Sequence, residues 1–358
     1  MLGKHIILLG IETSCDETAA SICVDGKYVL SNIISSQIST HKIYGGVVPE
    51  IASRLHIDCI DYVVKTALDD ANIKLSDVDA ICATKGPGLS GALLVGYSFA
   101  KSLSYANNIK LISVNHLMAH IASNYLIAKI NSIDEIENIE NNKLENESIT
   151  LPYICLLVSG GHTSLLLVSK KDKIETIGST IDDAAGEAFD KVARALGLQY
   201  PGGPQIEKYA SMYTDKNSSF ANLFPRGEVK DRPYDFTFSG LKSAVLNYIN
   251  KNKIDINKED EIIKIAYAFQ ESVFDSLISR AISLAIDKNI KSIALAGGVA
   301  ANKTLRDRLN LACSNNNIKC FVPNLSWTTD NAAMICAEGF IHLHETENNY
   351  ISSDIILD

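Results

Sequence analysis

The opening of the chain alternates apolar runs with polar turns. Residues 6–11 form a continuous apolar run, which predicts a central strand buried on both faces. The polar residues 12–17 interrupt that run, and a β-prone stretch follows at 18–24. Asp25-Gly26 then predicts a type I′ hairpin turn, with a returning strand at 27–34. The polar turn at 12–17 is either a holder for a phosphate or reacting group, or an ordinary polar hairpin tip.

The second half of the chain repeats this order. An apolar strand at 153–158 leads into the polar glycine turn at 159–162, and further strands are predicted at 163–168 and 173–177. Each half later carries a strand, a glycine-rich loop and a helix, near residues 80–105 and 292–302. We interpret the repetition as an internal duplication of an α/β lobe, and expect the two lobes to face each other across a cleft lined by loops from both.

Helical periodicity predicts the longer helices. They are expected at residues 51–71, from 116, at 182–194 with Asp190 near the middle, from 236 and at 260–286. Pro201-Gly-Gly-Pro204 is expected to end the helix that begins at 182. A last helix is expected near 328–334, with Thr329 or Asp330 as its cap.

Residues 129–150 differ in composition from both halves. They are rich in Asn and Glu, so we interpret them as a solvated insertion that carries no chemistry. The predicted organisation is a first lobe at 1–128, this insertion at 129–150, a second lobe at 151–345 whose last helix returns to the cleft, and a tail at 346–358.

Composition narrows the class of protein. The 358 residues are 46% hydrophobic, enough for two domains with substantial cores. The net charge of −9 argues against nucleic-acid binding over the whole surface. The sequence still allows a local basic groove, although an ordinary solvated face is slightly favoured. The candidate cations of such a groove are Lys191, Arg194, Arg226, Lys230, Arg232 and Lys242. Eight scattered cysteines without a C-x-x-C pair, and no stretch of transmembrane length, predict a cytoplasmic protein without a membrane span.

His116 and His120 are the strongest chemical signal. They lie four residues apart on a predicted helix, so both imidazoles share one face and can reach one divalent ion. Leu117 stands where a zinc protease of the H-E-x-x-H type carries its general base, so hydrolysis by that mechanism is disfavoured. The alternative is a pair of cap or surface histidines. A third metal ligand would have to come from elsewhere in the chain.

Two glycine turns and one acid are weaker signals. Ser159-Gly160-Gly161 offers backbone amides to an oxyanion or phosphate, or is simply a tight turn. The segment at 297–302 lets the backbone approach a flat ligand, or allows close helix–strand packing. Asp330 either caps its helix, contacts a ligand, or does both.

Taken together, these segments resemble a known family. The chain resembles the bacterial tRNA adenosine threonylcarbamoyltransferases, the TsaD family, once described as glycoprotein endopeptidases. The resemblance covers nearly the whole chain except 129–150 and the last dozen residues. It rests on GIETSCDET at 10–18, GGVVPE at 45–50, GPG at 86–88, HLMAH at 116–120, VSGGHT at 158–163, GEAFDK at 186–191, PGGP at 201–204, FSGLK at 238–242, GGVAAN at 297–302 and TDNAA at 329–333. It implies two lobes of the actin-like (ASKHA, RNase H-like) fold.

The resemblance also implies a site. Metal ligands would be His116, His120 and Asp330, with Fe²⁺ the usual ion and Zn²⁺ the alternative. Glu207 lies outside the motifs quoted above. The implied substrate contacts are Leu157, Val158, Ser159, Gly160, Gly161, Asp190, Gly203, Glu207 and Asn302.

The implied reaction moves the threonylcarbamoyl group of threonylcarbamoyl-AMP to the N6 amine of the adenosine next to the anticodon (position 37) of tRNAs that read ANN codons. AMP leaves, and the implied partners are tRNA, a catalytically inert paralogue and a small ATPase. Asp16 and Glu17, on the first polar turn, are our hypothesis for orienting or deprotonating the amine.

Three other functions fit parts of the sequence. A small-molecule kinase or ATPase of the same fold could use the glycine loops, but such enzymes hold magnesium mainly through carboxylates and water. A metalloprotease lacks its glutamate, as noted. A non-enzymatic ATP-binding scaffold would have no use for a set of metal ligands.

Overall fold

The computed structural model describes residues 5–141, 148–215 and 219–344. The strands are β1 (Ile7–Glu12), β2 (Glu17–Val24), β3 (Tyr28–Ser36), β4 (Ala80–Gly86), β5 (Lys110–Asn115), β6 (Ala128–Lys129), β7 (Tyr153–Val158), β8 (Thr163–Lys170), β9 (Lys173–Ser179), β10 (Ser292–Ala296) and β11 (Lys319–Phe321). The α-helices are α1 (Ile38–His41), α2 (Pro49–Asp70), α3 (Ser90–Asn107), α4 (His116–Ala122), α5 (Glu135–Asn141), α6 (Ala185–Ala195), α7 (Gly202–Ser211), α8 (Ser239–Lys251), α9 (Glu259–Asp287), α10 (Lys303–Asn315) and α11 (Ala332–Ile341).

The chain divides into two compact units. The first unit takes in the described parts of Met1–Ile149 and Ser326–Asp358, and the second unit is the described part of Thr150–Leu325. No helix in the described ranges is both long and apolar enough to cross a membrane.

The two units contain sheets that share the same topology over five strands, and the first sheet has β6 as a sixth strand. The first sheet has the order β5-β4-β1-β2-β3-β6, and the second has the order β11-β10-β7-β8-β9. In each, the first two strands pair antiparallel, while the flanking strands β4 and β10 pair parallel to β1 and β7. The repeated order confirms the predicted duplication. Asp25 and Gly26 have φ angles of 54° and 62°, which confirms the predicted type I′ geometry between β2 and β3.

The first sheet buries apolar side chains on both faces. One face packs against α2 and α3, and the other against α4 and α11. Gly10 permits the second contact, because a Cβ atom there would lie 2.3 Å from the Ala332 carbonyl oxygen. The sequence-based boundary placed residues up to 345 in the second lobe, whereas the structure assigns the segment from Ser326 onward to the first unit. Helix α11 is apolar except for Glu338, and it packs against this sheet face.

Part of the polar segment 129–150 is folded. β6 pairs with β3, and Ile130 and Ile136 are buried in the first unit. Residues 142–147 and the tail 346–358 lie outside the described residues.

The second unit forms its core around α9. The Pro-Gly-Gly-Pro segment does not end the helix that precedes it, contrary to the prediction: α6 stops at Ala195, and Pro201 is the residue just before α7. Gly197 ends α6 instead, with φ at 72° and the Leu198 amide donating to the Ala193 carbonyl. Proline at 201 suits a helix start, since it needs no partner for an amide hydrogen.

Candidate metal centre and substrate loops

Helix α4 contains both candidate metal ligands of the H-x-x-x-H segment, His116 and His120. Asn115 caps the helix, and its side chain accepts hydrogen bonds from the amides of Leu117 and Met118. The cap fixes His116 as the first helical residue, so His120 lies one turn further on the same face, with the ring centroids 4.7 Å apart. The prediction that a helix begins here is confirmed.

Asp330 is the third member of the candidate metal cluster. Its Oδ1 lies 3.1 Å from Nε2 of His120 and 3.6 Å from Nε2 of His116. Asn331, rather than Thr329 or Asp330, caps α11 by accepting from the Met334 amide, so the predicted cap is wrong. The Asp330 carboxylate is therefore not needed by its own helix. The three side chains form a cluster able to hold a metal ion.

The contacts of His120 fit a shared cation better than a hydrogen bond. His120 is 1% exposed, and neither ring nitrogen has a hydrogen-bond partner among the described residues, although Asp330 is close. Burying such unpaired nitrogens is unfavourable. Two ligands that share an ion at bonds of about 2.1 Å lie about 3.0–3.4 Å apart, which matches the His120–Asp330 separation of 3.1 Å. The residues present thus fit a divalent metal.

Glu12 orients the first histidine. Nδ1 of His116 lies 3.1 Å from Oε2 of Glu12 and 3.1 Å from Oγ of Ser14, and Glu12 is fully buried at the end of β1. A hydrogen on Nδ1 leaves Nε2 as the metal-facing nitrogen, the arrangement usual for metal-bound histidine. Our sequence reasoning missed this residue. The available signal was a glutamate at the end of a strand predicted to be buried on both faces.

We expect Glu12→Gln to weaken metal binding about 10- to 100-fold. The oxygens of Glu12 accept from the Thr84 hydroxyl, the Ser14 amide and His116, so an amide NH₂ would face at least one donor. Competition titration with a chromogenic chelator measures the affinity. Wild-type affinity in the variant would show that Glu12 does not orient the ligand.

The pKa values predict how protons compete with the metal. Burial lowers the pKa of His116, but the Glu12 and Asp330 carboxylates outweigh burial and raise it to about 9. Below that pH His116 holds a proton that a metal must displace. We therefore expect the affinity for Zn²⁺ to rise about tenfold per pH unit from about pH 7 to 8.5, and to level off above about 9. Calorimetric titration in buffers of different ionisation heat measures both affinity and proton release, and an affinity independent of pH would contradict the expectation.

Asp16 and Glu17 lie on the turn between β1 and β2. Asp16 is 6% exposed, and its Oδ2 has no hydrogen-bond partner within the described part of the chain. Glu17 accepts from the Ser36 hydroxyl at 3.1 Å. Burial, followed by the charges of Asp330 and Asp16, raises the pKa of Glu17 to about 9. Glu17 is therefore protonated at neutral pH and is a poor candidate for accepting a proton there.

The second unit gathers the predicted substrate residues around adjoining loops. The Ser159 turn is closed by its amide donating to the His162 carbonyl at 2.8 Å, and Gly160 and Gly161 are exposed with open space where a side chain would begin. Leu157 and Val158 are buried in β7, so only their backbone could contact a ligand. This geometry suits the predicted oxyanion or phosphate contact.

Successive contacts connect this turn to the other predicted residues. Gly186 at the start of α6 lies against the turn, since a Cβ atom there would be 2.6 Å from the Ser159 carbonyl oxygen. Asp190, also on α6, accepts from the Gly202 amide at 2.6 Å, which places Gly203 beside it at the start of α7.

The remaining two residues, Glu207 and Asn302, both contact the start of α10. Glu207 on α7 accepts from the Lys303 amide at 2.7 Å, while Asn302 caps α10 by accepting from the Leu305 amide at 3.0 Å. Gly297 brings this loop back to the Ser159 turn, because its φ is 88° and a Cβ atom would lie 2.4 Å from the Val158 carbonyl oxygen. The nine residues thus lie along one continuous chain of contacts, and their binding role stays a prediction.

A solved structure supports the fold assignment. Across 95% of this chain and 48% of the other, the structure is similar to HypF from T. kodakarensis, with a TM-score of 0.59 and 15% identity. At that identity the likeness concerns the fold alone. The predicted actin-like α/β fold is confirmed, and the protein is of the actin-like class with a candidate divalent-metal cluster in its first unit.

The sequence comparisons define the family. The model for TsaD, tRNA N6-adenosine threonylcarbamoyltransferase, matches residues 28–134 and 127–337. A protein of that name from Caldicellulosiruptor saccharolyticus is 46% identical over 354 residues, covering 98% of this chain and 97% of the relative. Those of Thermosipho africanus and Clostridioides difficile are each 48% identical, covering 99% and 94% of this chain and 98% and 93% of the relatives. The chain belongs to the TsaD family.

Proposed function

We propose that the protein transfers the threonylcarbamoyl group of threonylcarbamoyl-AMP to the N6 amine of the adenosine next to the anticodon of tRNA. The observation that carries the proposal is the 46–48% identity over nearly the full length to relatives named tRNA N6-adenosine threonylcarbamoyltransferase. In this reaction N6 bonds to the carbamoyl carbon, the bond from that carbon to the phosphate oxygen breaks, and AMP leaves with the electron pair. N6 also loses a proton.

The second unit would hold the donor. The exposed amides of Gly160 and Gly161 can donate to the phosphate or to the threonyl carboxylate. Asp190 and Glu207 accept from the first amides of α7 and α10, so their carboxylates would fix the starts of both helices beside the donor. Asn302 is 7% exposed and is fixed by Gln270 at 3.2 Å, so it would offer a preset contact to the ligand.

The first unit would supply the metal and the proton acceptor. A divalent ion held by His116, His120 and Asp330 would orient the threonylcarbamoyl group and polarise its carbonyl as a Lewis acid. We propose Fe²⁺, with Zn²⁺ as the alternative, because two imidazoles and one carboxylate form a mixed N/O set that suits either ion. Oδ2 of Asp16 would orient the adenine amine and accept its proton, because it is buried and needs a partner.

We further propose that the protein works with partners in the cytoplasm. The net charge of −9 leaves little general attraction for tRNA, so an inert paralogue and a small ATPase would help to complete the tRNA surface. Large apolar side chains exposed on α2 and α3 suit a protein partner: Ile57, Tyr62, Leu94 and Tyr105. All eight cysteines are free of disulfides, in keeping with a reducing compartment.

Reconstitution tests the function. The iron-loaded protein is incubated with its partner subunits, threonylcarbamoyl-AMP and unmodified tRNA, and the digested nucleosides are analysed by mass spectrometry. The expected product is threonylcarbamoyladenosine, with one AMP released per modified base. AMP release without modified adenosine, in the presence of both partners and Fe²⁺ or Zn²⁺, would overturn the proposal.

A further inference from the structure

Two buried histidines lie outside the metal cluster. His41 at the end of α1 and His56 in α2 are both 0% exposed, and Gln37, 5% exposed, lies between them. Nε2 of His41 is 3.0 Å from Oε1 of Gln37, and Nε2 of Gln37 is 3.3 Å from Nδ1 of His56. Nε2 of His56 is 3.0 Å from the Cys15 carbonyl oxygen. The chain of contacts therefore ends at the turn that carries Asp16.

The chemistry of each partner sets the direction of every hydrogen bond. A carbonyl only accepts, so His56 must carry its hydrogen on Nε2. Nδ1 of the neutral ring then accepts from the Thr18 hydroxyl at 2.7 Å and from the Gln37 amide group. Burial lowers the pKa of His56, which favours the neutral ring.

The same reasoning fixes the hydrogen-bond directions at the His41 end of the network. Oε1 of Gln37 accepts from Nε2 of His41, and Nδ1 of His41 accepts from the Val48 amide at 3.3 Å. One tautomer for each histidine satisfies the whole network, and it runs in one direction from Val48 to Cys15.

The network holds two consecutive carbonyls of the polar turn. The His56 ring donates to the carbonyl of Cys15, and the backbone amide of Gln37 donates to the carbonyl of Asp16 at 2.9 Å. Oδ2 of Asp16, by contrast, is buried without a hydrogen-bond partner among the described residues. The backbone at 15–16 is thus held firmly, while one carboxylate oxygen is left for a ligand.

We propose that His56, supported by Gln37 and His41, is a positioning residue that holds the Cys15–Asp16 backbone so that Oδ2 of Asp16 meets the incoming adenine amine. The inference rests on the proposed function. It adds a buried polar network to that site without giving the histidines contact with substrate or metal. A displacement of Asp16 by about 1 Å would slow the chemical step by up to about 100-fold.

Three substitutions at His56 separate positioning from simple packing. Gln can place its NH₂ group where Nε2 of His56 lies, so His56→Gln keeps the donor to Cys15. Asn reaches only as far as the Nδ1 position, so His56→Asn loses that donor, as does the apolar His56→Leu. His5→Asn is the matched control, because His5 is a partly exposed histidine bonded to Asp25 at 2.7 Å.

Steady-state kinetics are measured in the reconstituted complex. We expect His56→Asn and His56→Leu to lower kcat by about 30-fold or more, with KM for threonylcarbamoyl-AMP changed less than about threefold. His56→Gln should recover kcat to within about fivefold of wild type, and His5→Asn should equal wild type. The inference is overturned if the Asn and Leu variants keep wild-type kcat, if the loss appears in KM alone, or if Gln is no better than Asn at equal thermal stability.

Two readouts are independent of catalysis. Nitrogen NMR of labelled histidines should show His56 as the neutral Nε2–H tautomer, and amide exchange at residues 15–17 should quicken in the Asn and Leu variants but not in Gln. A wild-type Nδ1–H tautomer, or unchanged exchange, contradicts the inference. If the wild-type complex makes no modified adenosine, the proposed function fails, while these measurements still decide whether His56 anchors the turn.

Discussion

Asp330→Asn is expected to lower threonylcarbamoyl transfer by about 10³-fold or more in the reconstituted complex. The carboxylate is the one anionic member of the metal cluster. Asn would offer a neutral carbonyl oxygen beside an NH₂ group, whose hydrogens repel a cation. A bound metal contributes several kcal/mol of charge stabilisation, and about 4 kcal/mol corresponds to about 10³ in rate. Single-turnover rates measure the loss of transfer, and the metal content per chain measures the loss of metal binding in the same samples.

This substitution should keep the cap of α11 while lowering the stability of the metal-free protein. Asn331, and not Asp330, caps α11, so the variant should still fold; the metal-free variant should melt below the metal-free wild type, because it loses the charge pairing of Asp330 with His116. Added metal should raise Tm in the wild type and much less in the variant. Asp172→Asn, in the exposed turn between β8 and β9, is the matched control and should behave as wild type. Full metal content and full rate in Asp330→Asn would remove Asp330 from the site.

Local periodicity predicted the parts of the site that are set within one element. Histidines four residues apart share a helix face by helical geometry alone, and the structure places their rings 4.7 Å apart. The order of strands could be predicted for a similar reason, since each half repeats the same succession of runs and turns. The duplication predicted from that succession is confirmed, and five strands of the two sheets follow matching orders.

Contacts between distant residues could not be predicted in this way. Glu12 and His116 are 104 positions apart, so the place of Glu12 at the end of an apolar strand could signal its burial but not its partner. Asp330 and Asn331 have almost the same capping propensity, so local preference could not choose between them. The choice is made by tertiary contact, because Asp330 lies 3.1 Å from His120.

The buried network around His56 shows the same limit. His56 is 19 positions from Gln37, 38 from Thr18 and 41 from Cys15, so separate segments of the chain meet at one imidazole. Residues 201–204 illustrate a different failure. Proline and glycine signal a helix boundary without saying which side the helix lies on, and here the boundary begins α7.

Asp16→Asn is expected to lower kcat by about 10²- to 10⁴-fold, with little change in KM for threonylcarbamoyl-AMP. Asn cannot accept the proton that the adenine amine loses, and it cannot present the same pair of oxygens. Because Oδ2 of Asp16 is buried without a partner in the described residues, the substitution removes few contacts within the fold. Rates with saturating donor and tRNA, together with Tm, separate a chemical defect from a folding defect.

Glu17→Gln is the matched comparison, and it should keep the rate within about fivefold of wild type near neutral pH. The pKa of Glu17 is raised to about 9, so its carboxyl already holds a proton there and Gln imitates the neutral acid. As pH rises through about 9 the wild-type carboxyl ionises, and only then should the two pH–rate profiles separate. A large loss in Glu17→Gln at neutral pH, with a mild one in Asp16→Asn, would transfer the proton-accepting role from Asp16 to Glu17.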